Sequence, residues 1–210
     1  MFEMKANKAN QAPMARYMRN QFHFLGLKTP QRKAASKAFI KASKTVPVAK
    51  MMEEIAELYD RDEREYQYVA IDVAGANVKR LSFKDVQTLT KYIQVKSWWD
   101  TVDTWRKVFG DFVGLHPEEK QAVFDLFDQH DNFWMRRVAI LLQLLEKETL
   151  DTELLTKAIE YDIDTDEFFI QKAIGWALRN YSKFNPAWVR RFVAEHHLSK
   201  LAVREGTKYL

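Results

Sequence analysis

Apolar residues recur along this chain three and four positions apart, and no segment sustains the period-two alternation of a strand. The spacing predicts helices over roughly 47–59, 61–75, 82–93, 97–109, 117–128, 131–145, 151–160, 165–181, 187–194 and 198–208. Ahead of them, Pro13 opens a stretch carrying Met14, Tyr17, Met18, Phe22 and Leu25 that Gly26 closes, and Thr29-Pro30 begins another. The pattern describes an all-α chain of about twelve helices. Its glycines and prolines fall mostly between the elements, as at Gly114 to Pro117 and Asn185-Pro186.

The helical pattern repeats. Asp131 to Ile140 reads D-N-F-W-M-R-R-V-A-I, and 35 residues later Asp166 to Gly175 reads D-E-F-F-I-Q-K-A-I-G, placing Phe133 over Phe168, Trp134 over Phe169 and Met135 over Ile170. Upstream, Asp62 to Ile71 ends in the same V-A-I. Self-similarity at this period predicts an α-solenoid of antiparallel helix pairs of HEAT type. Equivalent positions then form columns, and the column through Tyr68, Asp103, Arg137 and Lys172 holds a phenol, an acid and two cations where a core would hold leucines. Such a column predicts a groove-facing surface.

Charge adds a direction to that groove. Residues 1–50 carry eleven Lys and Arg against the single acid Glu3, and residues 171–210 carry eight against two, whereas residues 51–170 are acidic on balance. Cations at both ends suit an extended polyanion lying in a concave basic cleft. Lys28, Arg32, Lys33 and Lys37, with Lys172 and Arg179 toward the other end, are the candidates for its phosphates. The opposing reading is a solvated face that keeps the protein soluble. There is no cysteine, no paired histidine motif and no run of apolar residues long enough to span a bilayer, so neither a metal, another cofactor nor a membrane is expected. With no linker-like segment, residues 1–210 read as a single domain.

The densest chemistry is S-W-W-D-T-V-D-T-W, Ser97 to Trp105. On a helix, Trp99 and Asp103 share one face, while Trp98, Val102 and Trp105 point elsewhere and pack inward. Arg137 stands one repeat later in the Asp103 position, so the two can pair, and Trp176 lies one turn beyond Lys172.

These residues carry a resemblance. M-A-R-Y-M (14–18), K-S-W-W-D-T-V-D (96–103), F-W-M-R-R-V-A-I-L (133–141) and E-F-F-I-Q-K-A-I-G-W-A-L-R (167–179) resemble the AlkD-type DNA alkylation repair enzymes, HEAT-like-repeat glycosylases for alkylated purines. The resemblance spans roughly residues 12–208. It implies that Asp103 is the catalytic carboxylate, that Trp99 and Trp176 flank the damaged nucleotide, that Arg137 contacts the DNA backbone and that Tyr17 lines the same cleft. It further implies an enzyme acting on duplex DNA that contains N7-alkylguanine or N3-alkyladenine. With no lysine on the Trp99–Asp103 turn, a monofunctional, cofactor-free enzyme is expected, a monomer in the cytoplasm, nucleoid-associated if bacterial. The family pattern has longer helices at both ends, so the chain reads as a domain shortened at its termini. The alternative is a non-catalytic HEAT-type module that binds DNA or a protein through its tryptophans.

Overall fold

The computed structural model describes residues 2–210. Among them are thirteen α-helices, two 3-10 turns and no strand, so the all-helical expectation is met. The chain divides into two compact units, Met1–Ser82 and Phe83–Leu210.

The first unit holds α1 (Lys8–Tyr17), α2 (Thr29–Ser43), α3 (Val48–Asp60) and α4 (Arg64–Ala76). Helix α4 packs against both α2 and α3 and is buried along most of its length, with Val69, Ala70, Val73 and Ala74 wholly inside. The predicted helix from Pro13 to Leu25 differs. Helix α1 starts at Lys8, takes Pro13 into its middle and stops at Tyr17. The proline costs one intrahelical hydrogen bond, and Arg19 and Asn20, at φ 56° and 57°, end the helix in the left-handed region.

What replaces the missing helix is a segment tied to α4 by one carboxylate. The wholly buried Glu65 accepts from the backbone N–H groups of Leu25, Gly26 and Leu27 at 2.8, 2.9 and 2.9 Å. Gly26 is required there: its φ is +87°, and a Cβ would stand 2.1 Å from the Asn7 carbonyl oxygen. Backbone that lacks a ladder must find side-chain partners, and Glu65 supplies three at once. The Arg64 guanidinium lies 3.7 Å from the centre of the Phe22 ring and adds a second tie between α4 and the same segment.

The second unit contains α5 (Phe83–Leu89), α6 (Lys91–Gln94), α7 (Trp99–Leu115), α8 (Lys120–Asp125), α9 (Phe133–Leu141), α10 (Thr152–Tyr161), α11 (Phe168–Ser182), α12 (Pro186–Glu195) and α13 (Lys200–Gly206). Helix α9 packs against α7, α10 and α11, the stacking that a solenoid requires. Helix α11 also packs on α12 and α13. The predicted 82–93 helix is broken at Thr90, between α5 and α6, and Lys96 at φ 50° separates α6 from α7. Trp105 and Phe109 are fully buried and stacked at 6.0 Å, and Tyr92 stacks on Trp105 at 5.5 Å.

The repeat fixes a register. Tyr68 in α4, Asp103 in α7, Arg137 in α9 and Lys172 in α11 each stand four residues after the first residue of their helix. One residue earlier, Gln67, Arg136 and Gln171 each turn back to the loop before their helix. They donate to the carbonyls of Arg61 at 2.6 Å, His130 at 2.7 Å and Thr165 at 2.8 Å. These carbonyls lie beyond the preceding helix and outside any ladder, so the side chains satisfy them and set where the next helix begins.

Replacing Glu65 by Gln turns one acceptor into a donor that faces buried N–H groups. The variant should lose about 2–4 kcal/mol of unfolding free energy in urea, with loss of amide-exchange protection at Leu25 to Leu27. An unchanged midpoint would contradict this role.

Candidate active site on the second unit

The first turn of α7 is shaped by aromatic packing. Trp98 precedes the helix in extended conformation, with φ −157°, and its ring meets Trp134 at 6.1 Å and Phe169 at 5.2 Å. Trp134 and Phe169 are themselves 4.8 Å apart. The starts of α7, α9 and α11 are thus held together by rings in edge-on and tilted contact. Val102 and Trp105 point into the core as expected, which leaves Trp99, half-buried, and Asp103 on the other face of α7.

Asp103 and Arg137 meet directly. Arg137 Nε and Nη2 donate to Asp103 Oδ1 and Oδ2 at 2.9 Å each, a two-pronged pair whose side chains are 19% and 5% exposed. Arg137 Nη1 donates to the Phe169 carbonyl oxygen in the first turn of α11. One guanidinium therefore joins α7, α9 and α11. The fork assigned to a phosphate by resemblance is turned toward Asp103, and only the N–H groups outside these three bonds remain for another partner.

A second cation lies behind the pair. Arg106, one turn along α7 from Asp103, is buried, and its Nε has no hydrogen-bond partner. Burial pushes its pKa below the usual arginine range, opposed by the carboxylates of Asp103 and Asp111. Arg106 thus lies within the influence of both members of the pair, and two hydrogen bonds from Arg137 hold the Asp103 side chain in place.

The remaining candidates fall in different settings. Trp176 is half-buried on α11, and on the same helix Lys172 and Arg179 both pair with Glu205 of α13, at 3.0 Å each. Tyr17, in the first unit, is 72% exposed. Lys28, Lys33 and Lys37 are exposed, but Arg32 is buried and pairs with Asp72. Arg32 is thereby occupied in packing α2 against α4. The sequence pattern missed the Phe169 carbonyl, Arg106 and Glu205. The alignment of Trp134 over Phe169 contained the signal for the first, since stacked repeats bring equivalent helix starts together. Among the described residues, no three His, Asp or Glu side chains are grouped as metal ligands, and no helix is long and apolar enough to cross a membrane.

The pattern of the family described as DNA alkylation repair enzyme matches residues 1–210. The chain belongs to that family. Its structure is similar to that of a "Predicted DNA alkylation repair enzyme from Enterococcus faecalis", with a TM-score of 0.98 at 51% sequence identity, covering 100% of this chain and 99% of that one. No curated protein matches closely enough to add to this.

Removing Arg137 strands a carboxylate and opens the tie between three helices. Arg137→Ala should lower unfolding free energy by about 3–5 kcal/mol. In the Asp103→Asn background the same change should cost less, because the charge it neutralises is already gone. Equal costs in the two backgrounds, measured by denaturant unfolding, would mean that the pair is not coupled.

Proposed function

We propose that the protein hydrolyses the N-glycosidic bond of cationic alkylated purines, N7-alkylguanine and N3-alkyladenine, in duplex DNA and leaves an abasic site. The observation that carries this reading is the fixed carboxylate of Asp103, with Trp99 on its own helix face and Trp176 on α11. An alkylated purine of this kind is already a cation, so it departs as a neutral base without a proton donor. What the reaction needs is stabilisation of the sugar. As the bond from C1′ to nitrogen breaks, its electron pair leaves with the base and an oxocarbenium-like cation develops; Asp103 stabilises it and orients the water that attacks C1′, and the proton which that water gives up passes to solvent.

Arg137 acts through Asp103 in this mechanism. Two hydrogen bonds fix the carboxylate plane, so little reorganisation is needed as charge develops. Trp99 and Trp176 flank the nucleotide, each contributing on the order of 0.5–2 kcal/mol to a cationic sugar. Lys28 at the N-terminus of α2 and the exposed Lys33 and Lys37 within it meet phosphates, and the exposed Tyr17 contributes to DNA binding. The enzyme works without a cofactor, as a monofunctional glycosylase and a monomer in the cytoplasm.

A second reading rests on the same pair. An ion pair that ties three helices is also what a purely structural bridge looks like, and it favours a non-catalytic DNA-binding module. The two readings part at Asp103→Asn. The proposal expects single-turnover release of N7-methylguanine, in the presence of a chelator, to fall by about three orders of magnitude, or roughly 4 kcal/mol. Equilibrium binding to the same duplex should be kept or slightly strengthened. Thermal melts of the variant serve as the control for folding. Release at the wild-type rate would leave the module reading.

A further inference from the structure

Glu205 is a single carboxylate surrounded by cations. Lys172 Nζ stands 3.0 Å from Oε1, Arg179 Nη1 stands 3.0 Å from Oε2, and Arg204 Nη2 lies 3.7 Å from Oε1. Lys172, Trp176 and Arg179 occupy positions i, i+4 and i+7 of α11, one stripe about 10 Å long. The carboxylate reaches that stripe because α13 comes unusually close. A Cβ on Gly175 would lie 2.5 Å from the Glu205 Cβ, and one on Gly206 would lie 3.1 Å from the Leu178 Cβ. Hydrogen bonding from Lys172 leads the influences that hold Glu205 below the usual carboxylate range, with the charges of Lys172, Arg179 and Arg204 adding to it against its burial. The acid is ionised, and the cluster still has more positive than negative charge.

We propose that Lys172, Arg179 and Arg204 form a cradle for one backbone phosphodiester of DNA, and that the Glu205 carboxylate occupies it as an internal stand-in. A carboxylate and a phosphodiester both spread one negative charge over two oxygens, so both fit two cations approaching from different sides. Glu205 keeps Lys172 and Arg179 oriented along the Trp176 stripe and competes with weak solitary anions. A duplex offers several phosphates at once and releases counterions, so it outcompetes the tethered acid. The inference rests on the DNA-binding part of the proposed function and adds an element of control to it.

The test is Glu205→Gln in the full chain, with affinity for an undamaged duplex measured by fluorescence anisotropy at fixed salt. Gln keeps the Cβ that packs against Gly175. Affinity should rise about 5–20-fold, and the gain should vanish when Lys172→Gln and Arg179→Gln are added. Neutralising the exposed Glu148 in the same way should change affinity less than twofold. The cradle is refuted by the absence of a gain, by a gain that survives loss of both cations, or by an equal gain from Glu148→Gln. Should Glu205→Gln fail to melt cooperatively, the wild type is titrated with the same duplex. The Arg179 guanidinium and Glu205 carboxyl resonances should then shift together, and stationary resonances refute the cradle. Release of alkylated base by the wild type is scored separately. Release without an affinity gain overturns this inference alone, and a gain without release overturns the glycosylase reading alone.

Discussion

The contact between Asp103 and Arg137 sets the terms for the rest of the second unit. It joins α7 to α9 through two hydrogen bonds, and the same guanidinium reaches the first turn of α11. A buried ion pair of this kind gains little net stability over a well-packed apolar pair, because desolvation offsets most of the attraction. What it imposes is position. Three helices must start in the same register for one arginine to reach both partners, and the aromatic contacts of Trp98, Trp134 and Phe169 hold those starts together.

That constraint lets a charged column exist in a repeat whose core columns are apolar. In each copy the residue before the column is taken up locally where it is Gln67, Arg136 or Gln171, binding the loop that leads into the helix. The column residue is left to face outward or across. In one copy it is the acid and in the next the cation, so they neutralise each other. In the copy after that it is Lys172, and the neutralising acid comes from α13. One repeat position thus carries different chemistry in successive copies.

Period and register were legible in the sequence because they depend on spacing, and spacing survives translation into helices. The pairing of Asp103 with Arg137 followed from a 34-residue offset between matching strings. The segment from Met18 to Leu27 was not legible as it stands. Its apolar residues keep helical spacing, but two left-handed residues and the buried Glu65 carboxylate override that local preference. Arg32 and Glu205 escaped for a related reason. A composition count treats every Lys and Arg as an available cation and gives no sign that Asp72 takes one of them, or that one acid on a short terminal helix engages two more.

In the proposed mechanism a carboxylate held by a buried arginine stabilises the sugar cation and orients water, with no proton donor for the departing base. The most direct measurement is single-turnover release by the wild type from two duplexes of identical sequence, one carrying N7-methylguanine and the other hypoxanthine, an uncharged base. A site that stabilises only the sugar must depend on the base being a good leaving group before it binds. The account predicts measurable release of N7-methylguanine with hypoxanthine at its spontaneous rate. Accelerated release of hypoxanthine would contradict it, because that base needs a proton that this mechanism does not deliver.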